Sequence, residues 1–344
     1  MVNTSRQRLP RQTILVAGGA GFVGSHLCDE LLALGHRVIC LDSFLTGRLK
    51  NIAPLQNHPE FSLITQDICD TVEIDEPLDQ IYNLACPASP PHYQADPMHT
   101  MMTSVEGTRR MLELARKHEA RFLQASTSEI YGDPLQHPQR EDYLGNVNCT
   151  GPRACYDEGK RAAEAMCFDM LRSGRVDARV VRIFNTYGPR MRPDDGRIIS
   201  NFIVQALQNR PLTIYGSGEQ TRSFCYVSDL VGGLIAMMSK TPNPRLAVNI
   251  GNPGEFTVRE LASFVCSLVP TSSTIEHRPL PPDDPQRRRP DITRARDILG
   301  WAPVVPLADG LPPTIDWFSR ELAETVDSAS ERPAGLTAPK EAAE

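Results

Sequence analysis

Residues 14–24 read Ile-Leu-Val-Ala-Gly-Gly-Ala-Gly-Phe-Val-Gly. The apolar run 14–17 predicts a buried strand that ends at glycines, and apolar residues then recur at helical spacing over 22–34. A second apolar run, 38–41, predicts the strand that follows. A strand, a helix and a strand within about thirty residues form the βαβ unit of a parallel sheet, so this stretch decides the fold.

The alternation of strands and helices continues through the first half of the chain. The sequence predicts further strands near 61–65, 80–84, 122–125 and 178–183, and helices over 98–118 and 155–171. The fold class that follows is α/β, with a Rossmann-type, doubly wound parallel sheet that carries helices on both faces.

Four segments are predicted along the chain. Residues 1–12 form a disordered N-terminus, 13–190 a nucleotide-binding Rossmann domain, and 191–322 a smaller α/β substrate-binding region, with the chain recrossing between the halves. This region is expected over the carboxyl ends of the strands, where open α/β sheets bind ligands. The last segment, 323–344, is expected to be a disordered tail, because its residues bury too little apolar surface to become ordered.

Composition limits the classes of partner and compartment. The formal net charge of -6 gives no basic face for nucleic acid or an acidic membrane. No apolar run approaches the roughly 18 residues of a membrane span, and the N-terminal segment does not resemble a signal peptide. The nine cysteines are scattered without a C-x-x-C pair, so neither a metal site nor a disulfide framework is indicated. We expect a cytoplasmic protein with a small-molecule ligand.

The glycine spacing and the end of the second strand predict a dinucleotide site. Gly18, Gly21 and Gly24 lie three apart between a strand and a helix, where backbone N–H groups can face a pyrophosphate. Asp42 ends the second predicted strand, where an acidic residue bonds the ribose hydroxyls and repels a 2′-phosphate, so NAD is favoured over NADP. Two alternatives stay open: Asp42 could simply cap a loop, and the nearby Arg48 leaves room for a phosphate.

Tyr156 and Lys160 form the second functional pattern. Residues four apart share one face of a helix, so the Lys160 ammonium would favour the phenolate of Tyr156 and lower its pKa. Together with the run 126–129, Ser-Thr-Ser-Glu, these residues resemble the Ser/Thr and Tyr-x-x-x-Lys constellation of short-chain dehydrogenases. A simple alcohol oxidation needs no carboxylate beside the hydroxyl residues, so Glu129 indicates a second chemical step.

Residues from 14 to about 317 resemble the UDP-glucuronate decarboxylases, or UDP-xylose synthases, of the extended short-chain dehydrogenases. The blocks that carry the resemblance are 18–25, 41–47, 84–90, 126–134, 155–161, 182–191 and 220–224. The resemblance implies oxidation of the C4 hydroxyl of UDP-glucuronate, loss of CO2 from the resulting β-keto acid, and reduction to UDP-xylose, with NAD recycled internally. It also implies a homodimer packed through the helices 98–118 and 155–171.

The resemblance assigns residues to three groups. Tyr156 would be the base, Lys160 would hold it charged, and Thr127 would bond the C4 oxygen; with them, the implied catalytic residues include Ser128, Glu129 and Arg288, which assist decarboxylation and reprotonation. The implied NAD-binding residues, besides Tyr156 and Lys160, are Gly18, Gly21, Phe22, Val23, Gly24, Asp42, Ser43, Thr46, Gly47, Asp67, Ile68, Leu84, Cys86 and Thr103. The implied substrate-binding residues are Asn185, Arg197, Tyr215, Arg222 and Arg288. No metal is expected.

Some positions depart from the family pattern and some alternatives remain. Met102 and Ser104 stand where the family commonly has lysine and asparagine, and Ser43 replaces a frequent asparagine. A 4,6-dehydratase typically has aspartate at the position of Ser128, and a 4-epimerase needs no carboxylate at Glu129. A non-catalytic NAD-binding protein would be expected to lose the tyrosine or the lysine.

Overall fold

The structure, a computed structural model, describes residues 10–279 and 287–330. Its strands are β1 Thr13–Ala17, β2 Arg37–Asp42, β3 Phe61–Thr65, β4 Gln80–Asn83, β5 Arg121–Thr127, β6 Ala178–Ile183, β7 Thr186–Tyr187, β8 Leu212–Tyr215, β9 Thr221–Ser223, β10 Cys225–Tyr226, β11 Ala247–Ile250, β12 Glu255–Thr257, β13 Ile275–Arg278 and β14 Arg287–Arg288.

The helices alternate with these strands. They are α1 Phe22–Ala33, α2 Leu49–Ile52, α3 Pro90–Ala95, α4 Pro97–Met102, α5 Thr108–His118, α6 Ala154–Arg172, α7 Ile198–Leu207, α8 Val227–Ser239, α9 Val258–Leu268 and α10 Leu307–Ser330. Shorter helical turns lie at Ala53–Leu55, Thr103–Gly107, Ser128–Tyr131 and Ala295–Leu299. None of the helices in the described ranges is both long and apolar enough to cross a membrane.

A seven-stranded sheet forms the centre of the described chain. The strand order is β11-β6-β5-β4-β1-β2-β3, and all the pairs are parallel. The order reverses between β1 and β4, so the carboxyl ends of these two strands diverge into a crevice at the switch point. The predicted doubly wound, Rossmann-type sheet is confirmed.

The apolar runs form strands because both faces of the sheet are covered. Val16 packs with Leu27 of α1 and Leu230 of α8 in one buried cluster, and the neighbouring residue Leu15 packs with Met111 of α5 in another. Full burial of such a side chain stabilises the fold by roughly 1.5 to 3 kcal/mol. Alternation along β1 therefore places successive side chains in different layers.

The second region has its own core and small sheets. β9 pairs with β12 and β14, and β8 pairs with β13. Helices α7, α9 and α10 close a third apolar cluster that includes Phe202, Leu261 and Phe318. This arrangement brings β14, which is distant in sequence, next to the elements that surround the sheet crevice.

The predicted boundary at residue 190 does not separate the two regions cleanly. β11 lies beyond it, yet it pairs with β6 and completes the central sheet, and α8 packs on that sheet. The physical reason is that β6 would otherwise present unpaired backbone groups at an open edge. The four-residue run of β11 is too short to be distinguished by its sequence pattern alone.

The predicted termini also differ from the structure. α10 continues to Ser330, past residue 323 where the tail was expected to begin, and Glu324 in that stretch bonds Lys50. At the other end, the Gln12 carbonyl accepts a hydrogen bond from the Arg37 N–H, so this residue is tied to the sheet. Residues 1–9 and 331–344 of the two predicted segments lie outside the described residues.

Candidate functional site

A cavity of about 710 Å³ lies at the carboxyl ends of the central strands and is also lined by residues of the second region. Every residue predicted for catalysis, cofactor binding or substrate binding lines it, with the exception of Gly47. Gly47 instead packs against Asp42, because a Cβ at that position would lie 2.5 Å from the Asp42 Oδ1 atom. Gly47 is therefore not among the lining residues, and its contact with the cofactor stays a prediction.

The glycine loop between β1 and α1 is shaped by close backbone contacts. Gly18 has a φ of +77°, and a Cβ there would lie 2.8 Å from the Ala85 nitrogen. A Cβ on Gly24 would lie 2.1 Å from the Gly18 carbonyl oxygen. Gly21 precedes the helix and offers no side chain to its first N–H groups. The result is a cradle of backbone donors at a helix N-terminus, which suits an anionic group.

Asp42 connects the glycine loop to the loop that follows β2. Its carboxylate accepts hydrogen bonds from the Ala20 N–H at 2.9 Å and from the Phe44 N–H at 2.8 Å. Burial raises the pKa of Asp42, and these backbone donors oppose that shift. Asp42 thus caps a loop, as one alternative had it, while it also lines the cavity.

Arg48 does not serve the cavity as a phosphate ligand would. Its Nη2 atom lies 2.5 Å from an oxygen of Glu321 in α10, and Lys50 contacts the same carboxylate. The side chain of Glu321 is 4% exposed, so this ion pair is largely shielded from solvent. The second region thereby holds the loop that lies beside Asp42.

Tyr156 and Lys160 extend from α6 into the cavity, as their spacing predicts. Tyr93 stacks on Tyr156 with ring centroids 5.1 Å apart. The Lys160 Nζ atom lies 5.7 Å from the centre of the Tyr156 ring and donates to the Ala125 carbonyl at 3.0 Å. Both side chains are buried, so their charges and protons act in an environment of low dielectric constant.

The pKa of Tyr156 departs from the prediction. Burial raises this pKa well above its ordinary value, while a hydrogen bond with Thr127 and the charge of Arg197 lower it. The sequence assigned the lowering to Lys160. In the structure the Lys160 Nζ atom donates to a backbone carbonyl, and the groups that lower the pKa of Tyr156 include Thr127 and Arg197.

Glu129 lies between two arginines that come from different parts of the chain. Arg288 Nη1 lies 2.7 Å from Glu129 Oε1, and Arg153 contacts Oε2. Burial alone raises the pKa of Glu129, but Arg288 and Arg153 outweigh it and hold the pKa below its usual value. Arg288 also donates to the Ser128 hydroxyl at 3.0 Å. Glu129 is therefore an ionised carboxylate, which must receive a proton before it can donate one.

The remaining predicted substrate residues surround this cluster. Arg222 is the Cα partner of Arg288 in the β9–β14 pair, so the short sheet places two arginines side by side. Arg197 is held by Asp195, with contacts of 2.5 and 2.8 Å. Tyr215 is 39% exposed at the end of β8, and Asn185 lies between β6 and β7. This side of the cavity is rich in guanidinium groups, which bind phosphate and carboxylate oxygens.

Three residues at the site were not singled out from the sequence. Arg153 precedes Tyr156 by three residues, and Asp157 follows it, so helical spacing could have indicated Arg153. Tyr93 lies in a proline-flanked segment for which no helix was predicted. Within the described ranges, no group of three or more His, Cys, Asp or Glu side chains could hold a metal ion.

The geometry supports acid–base chemistry on a substrate with anionic groups. A family model described as the NAD dependent epimerase/dehydratase family matches residues 14–251. UDP-glucuronic acid decarboxylase 1 of Danio rerio is 55% identical over 312 residues, which are 91% of this chain and 74% of that protein. UDP-glucuronic acid decarboxylase 1 of Arabidopsis thaliana is 51% identical over 322 residues, which are 93% of this chain and 72% of that protein.

The solved structures that are similar to this chain include one that is matched over nearly its whole length. It is the UDP-glucuronic acid 4-epimerase from Bacillus cereus in complex with UDP-glucuronic acid and NAD. The alignment covers 90% of this chain and 99% of that one, with a TM-score of 0.81 and 29% sequence identity. These likenesses extend over both regions that line the cavity.

Proposed function

The chain belongs to the NAD dependent epimerase/dehydratase family and, within it, to the UDP-glucuronic acid decarboxylases, and we propose that it converts UDP-glucuronate to UDP-xylose and CO2. The observation that carries the proposal is the pairing, in one cavity, of Tyr156 with a carboxylate that Arg288 and Arg153 hold ionised. A simple alcohol dehydrogenase needs only the first of these two parts.

The residues at the glycine loop fit NAD. The cradle formed by Gly18 and Gly24 leaves no room for a Cβ, as close approach of a pyrophosphate to backbone requires. Asp42 would bond the adenosine ribose, Asp67 the adenine, and Lys160 the ribose next to the nicotinamide. When bound, NAD supplies the electron acceptor for the C4 carbinol and returns the electrons at the end of the cycle.

Tyr156 and Thr127 would manage the C4 oxygen. Loss of CO2 from C5 needs an electron sink, and a ketone at C4 supplies one because the carboxylate then lies β to it. Tyr156 takes the C4 hydroxyl proton in the first step and gives it back in the last. Thr127, which bonds Tyr156, orients that oxygen and stabilises the enolate that remains after CO2 leaves.

Glu129 would act on the carboxylate of the substrate. Because the arginines keep Glu129 ionised, a second carboxylate bound beside it is repelled, and this repulsion ends when the charge departs as CO2. Arg288 limits the repulsion enough for binding. The same ionisation means that the proton delivered to C5 must reach Glu129 from another group.

The second region would hold the nucleotide. Arg222 and Arg197 would bind the diphosphate, Tyr215 would contact uracil, and Asn185 would lie near the diphosphate. All four side chains line the cavity. The 4-epimerase neighbour binds UDP-glucuronic acid, which makes 4-epimerisation of the same substrate the second candidate function.

Product analysis tests the proposal. The purified protein, given UDP-glucuronate and NAD, should release one CO2 per UDP-xylose with no net NADH; mass spectrometry and absorbance measure these. UDP-galacturonate as the product would establish the epimerase instead, and unchanged substrate would refute both.

Tyr156→Phe should lower turnover by about 10³-fold, since general acid–base catalysis contributes 10² to 10⁴. The control Tyr143→Phe changes a tyrosine that does not line the cavity, and it should retain wild-type turnover.

The homodimer and the cytoplasmic location stay predictions. α4 leaves Met98 and Met102 exposed, at 70% and 43%, on a helix that was expected at the dimer contact. An apolar face of this kind supports the proposed packing against a second copy.

A further inference from the structure

We propose that Asp157 supplies the proton that replaces CO2 at C5, passing it through Glu129 from a second cavity behind the substrate site. The proposal rests on the decarboxylase function above. Decarboxylation turns a carboxylate into CO2 and a C–H bond, so it consumes one proton in every turnover. Tyr156 only removes and returns the C4 hydroxyl proton, and the C5 proton must therefore enter from solvent.

A second cavity of about 200 Å³ provides the space for that entry. Glu129 and Arg153 line both this cavity and the main one, so they form the partition between the two. The other lining side chains are mostly polar; they are Asp133, Asn146, Val147, Asn148 and Asp157. A polar space of this size suits ordered water, which can carry a proton between carboxyl groups.

Asp157 is the buried acid on the far side of the partition. It is 6% exposed, and its Oδ1 atom is buried without a hydrogen-bond partner in the structure. It follows Tyr156 on α6, and α6 packs directly on the turn that carries Glu129. A buried carboxyl oxygen with no donor is costly to keep ionised, so this position favours the protonated acid.

The charged groups around Asp157 come from each element packed against it. Glu129 on its turn raises the pKa, Arg288 on β14 and Arg153 at the start of α6 lower it, and Glu158 on α6 raises it slightly. Asp133 lines the second cavity together with Asp157. Burial is the largest cause, and the pKa of Asp157 is raised to about 7.

The two carboxyl groups thus differ in their proton at neutral pH. The arginines hold Glu129 ionised, whereas burial holds the proton on Asp157. Such a separation of pKa values within one pair assigns the acid and the acceptor. Asp157 therefore holds the proton that the ionised Glu129 must receive before it can act as a donor.

The step balances without a further reactant. The ionised Glu129 first takes the proton of Asp157 across water in the second cavity. It then gives this proton to the enolate electron pair at C5, which forms the C5–H bond and restores the C4 carbonyl. Glu129 is ionised again after this transfer, and Asp157 is reloaded from solvent. Asp157 acts only through Glu129 and does not itself touch the substrate.

Asp157→Asn and Glu158→Gln provide a matched test on adjacent positions. Glu158 lies outside both cavity linings and pairs with Arg161 at the surface. In Asp157→Asn, formation of the reduced cofactor, followed by absorbance, should proceed at the wild-type rate, while UDP-xylose forms 10- to 100-fold more slowly. Glu158→Gln should match the wild type in both steps.

The pH profile is the readout that a structural role would not move. Because the proton donor must be protonated, wild-type turnover should fall as the pH rises through about 7, and Asp157→Asn should lose this limb. Added formic acid, small enough for the second cavity, should restore part of the rate of Asp157→Asn. Wild-type turnover and an unchanged pH limb in Asp157→Asn would overturn the proposal.

A measurement on the unmodified protein decides the case in which Asp157→Asn does not fold. Infrared difference spectra of the wild type should show a protonated carboxyl group that titrates near pH 7. Absence of such a group would overturn the proposal. Failure of the decarboxylase function is distinguishable, because the wild type would then release no CO2, whereas an active wild type with an active Asp157→Asn refutes only the proton route.

Discussion

The two walls of the cavity are built in different ways. The cofactor wall is formed by short-range turns after β1 and β2, in which Gly18 and Gly24 allow close backbone contacts and the Asp42 carboxylate accepts hydrogen bonds from backbone N–H groups. The carboxylate wall is formed by charged side chains from three separate places, Glu129 after β5, Arg153 before α6 and Arg288 in β14. The first wall depends on chain shape, and the second on the mutual compensation of buried charges.

This difference predicts how each wall fails. A turn that lacks room for a Cβ fails sterically and loses its ligand. A buried ion pair fails electrostatically, since removing one partner leaves an uncompensated charge, at a cost of about 3 to 5 kcal/mol. Substitutions in the two walls should therefore separate cofactor retention from catalysis.

Gly24→Ala should have the largest effect, because it breaks the cofactor wall. Its Cβ would lie 2.1 Å from the Gly18 carbonyl, so the loop must shift, which we expect to destabilise the fold by about 3 kcal/mol and abolish NAD retention and turnover. Thermal unfolding and NAD content after gel filtration measure this. The control Gly232→Ala changes an exposed helical glycine, where an added Cβ would lie 3.8 Å from the Trp301 Nε1 atom. This variant should be as stable as the wild type or slightly more stable. Normal NAD content in Gly24→Ala would contradict the steric account.

Glu129→Gln should break the carboxylate wall while leaving the cofactor wall intact. Turnover should fall by about 10²- to 10³-fold and unfolding free energy by about 3 kcal/mol, since the buried Arg288 loses its partner, whereas NAD affinity stays within about threefold. Steady-state kinetics, denaturant unfolding and calorimetry test these effects. The control Glu113→Gln removes an exposed pair with Arg109 and should change stability by less than about 0.5 kcal/mol. Loss of NAD binding in Glu129→Gln would show that the walls are not independent.

Glu321→Gln should have the smallest effect and sharpens the comparison. This carboxylate of α10 pairs with Arg48 and Lys50, so it is a charged support of the cofactor wall that the second region supplies. We expect a loss of about 1 to 2 kcal/mol in stability and less than about tenfold in NAD affinity, with turnover per bound NAD unchanged. Glu324→Gln, whose carboxylate is exposed beside the same Lys50, should alter neither property measurably. If the two variants changed stability and NAD affinity equally, Glu321 would not be a specific support of the cofactor wall.

Local patterns predicted the elements of the first half well, because strands buried on both faces and amphipathic helices have distinct periods. The strand predicted at 178–183 coincides with β6, and the helix near 155–171 differs from α6 by one residue at each end. β11 was missed, since a four-residue strand carries little pattern and its place at the sheet edge depends on β6. The C-terminal part of α10 likewise has partners that are distant in sequence, because Glu321 pairs with Arg48 and Glu324 pairs with Lys50.

At the site, residue type and spacing indicated Tyr156, Lys160 and Glu129, but not the electrostatics. Spacing places Lys160 beside Tyr156, yet the direction of its ammonium toward Ala125 is decided by the packing of α6 against β5. The partner Arg153 was overlooked although helical spacing relates it to Tyr156. Whether a carboxyl group is ionised depends on burial and on neighbours that are distant in sequence, as Glu129 and Asp157 show.

The amino-acid sequence by itself determined the parallel sheet, the glycine loop and the residues available for chemistry, because these follow from hydrophobic period, backbone freedom and side-chain type. Only the tertiary structure decided which charges meet. It brought Arg288 across 159 residues to Glu129, held Arg48 away from the cavity, and left Asp157 buried beside a second cavity. The physical reason is that protonation and ion pairing depend on distance and dielectric environment, which only the folded chain establishes.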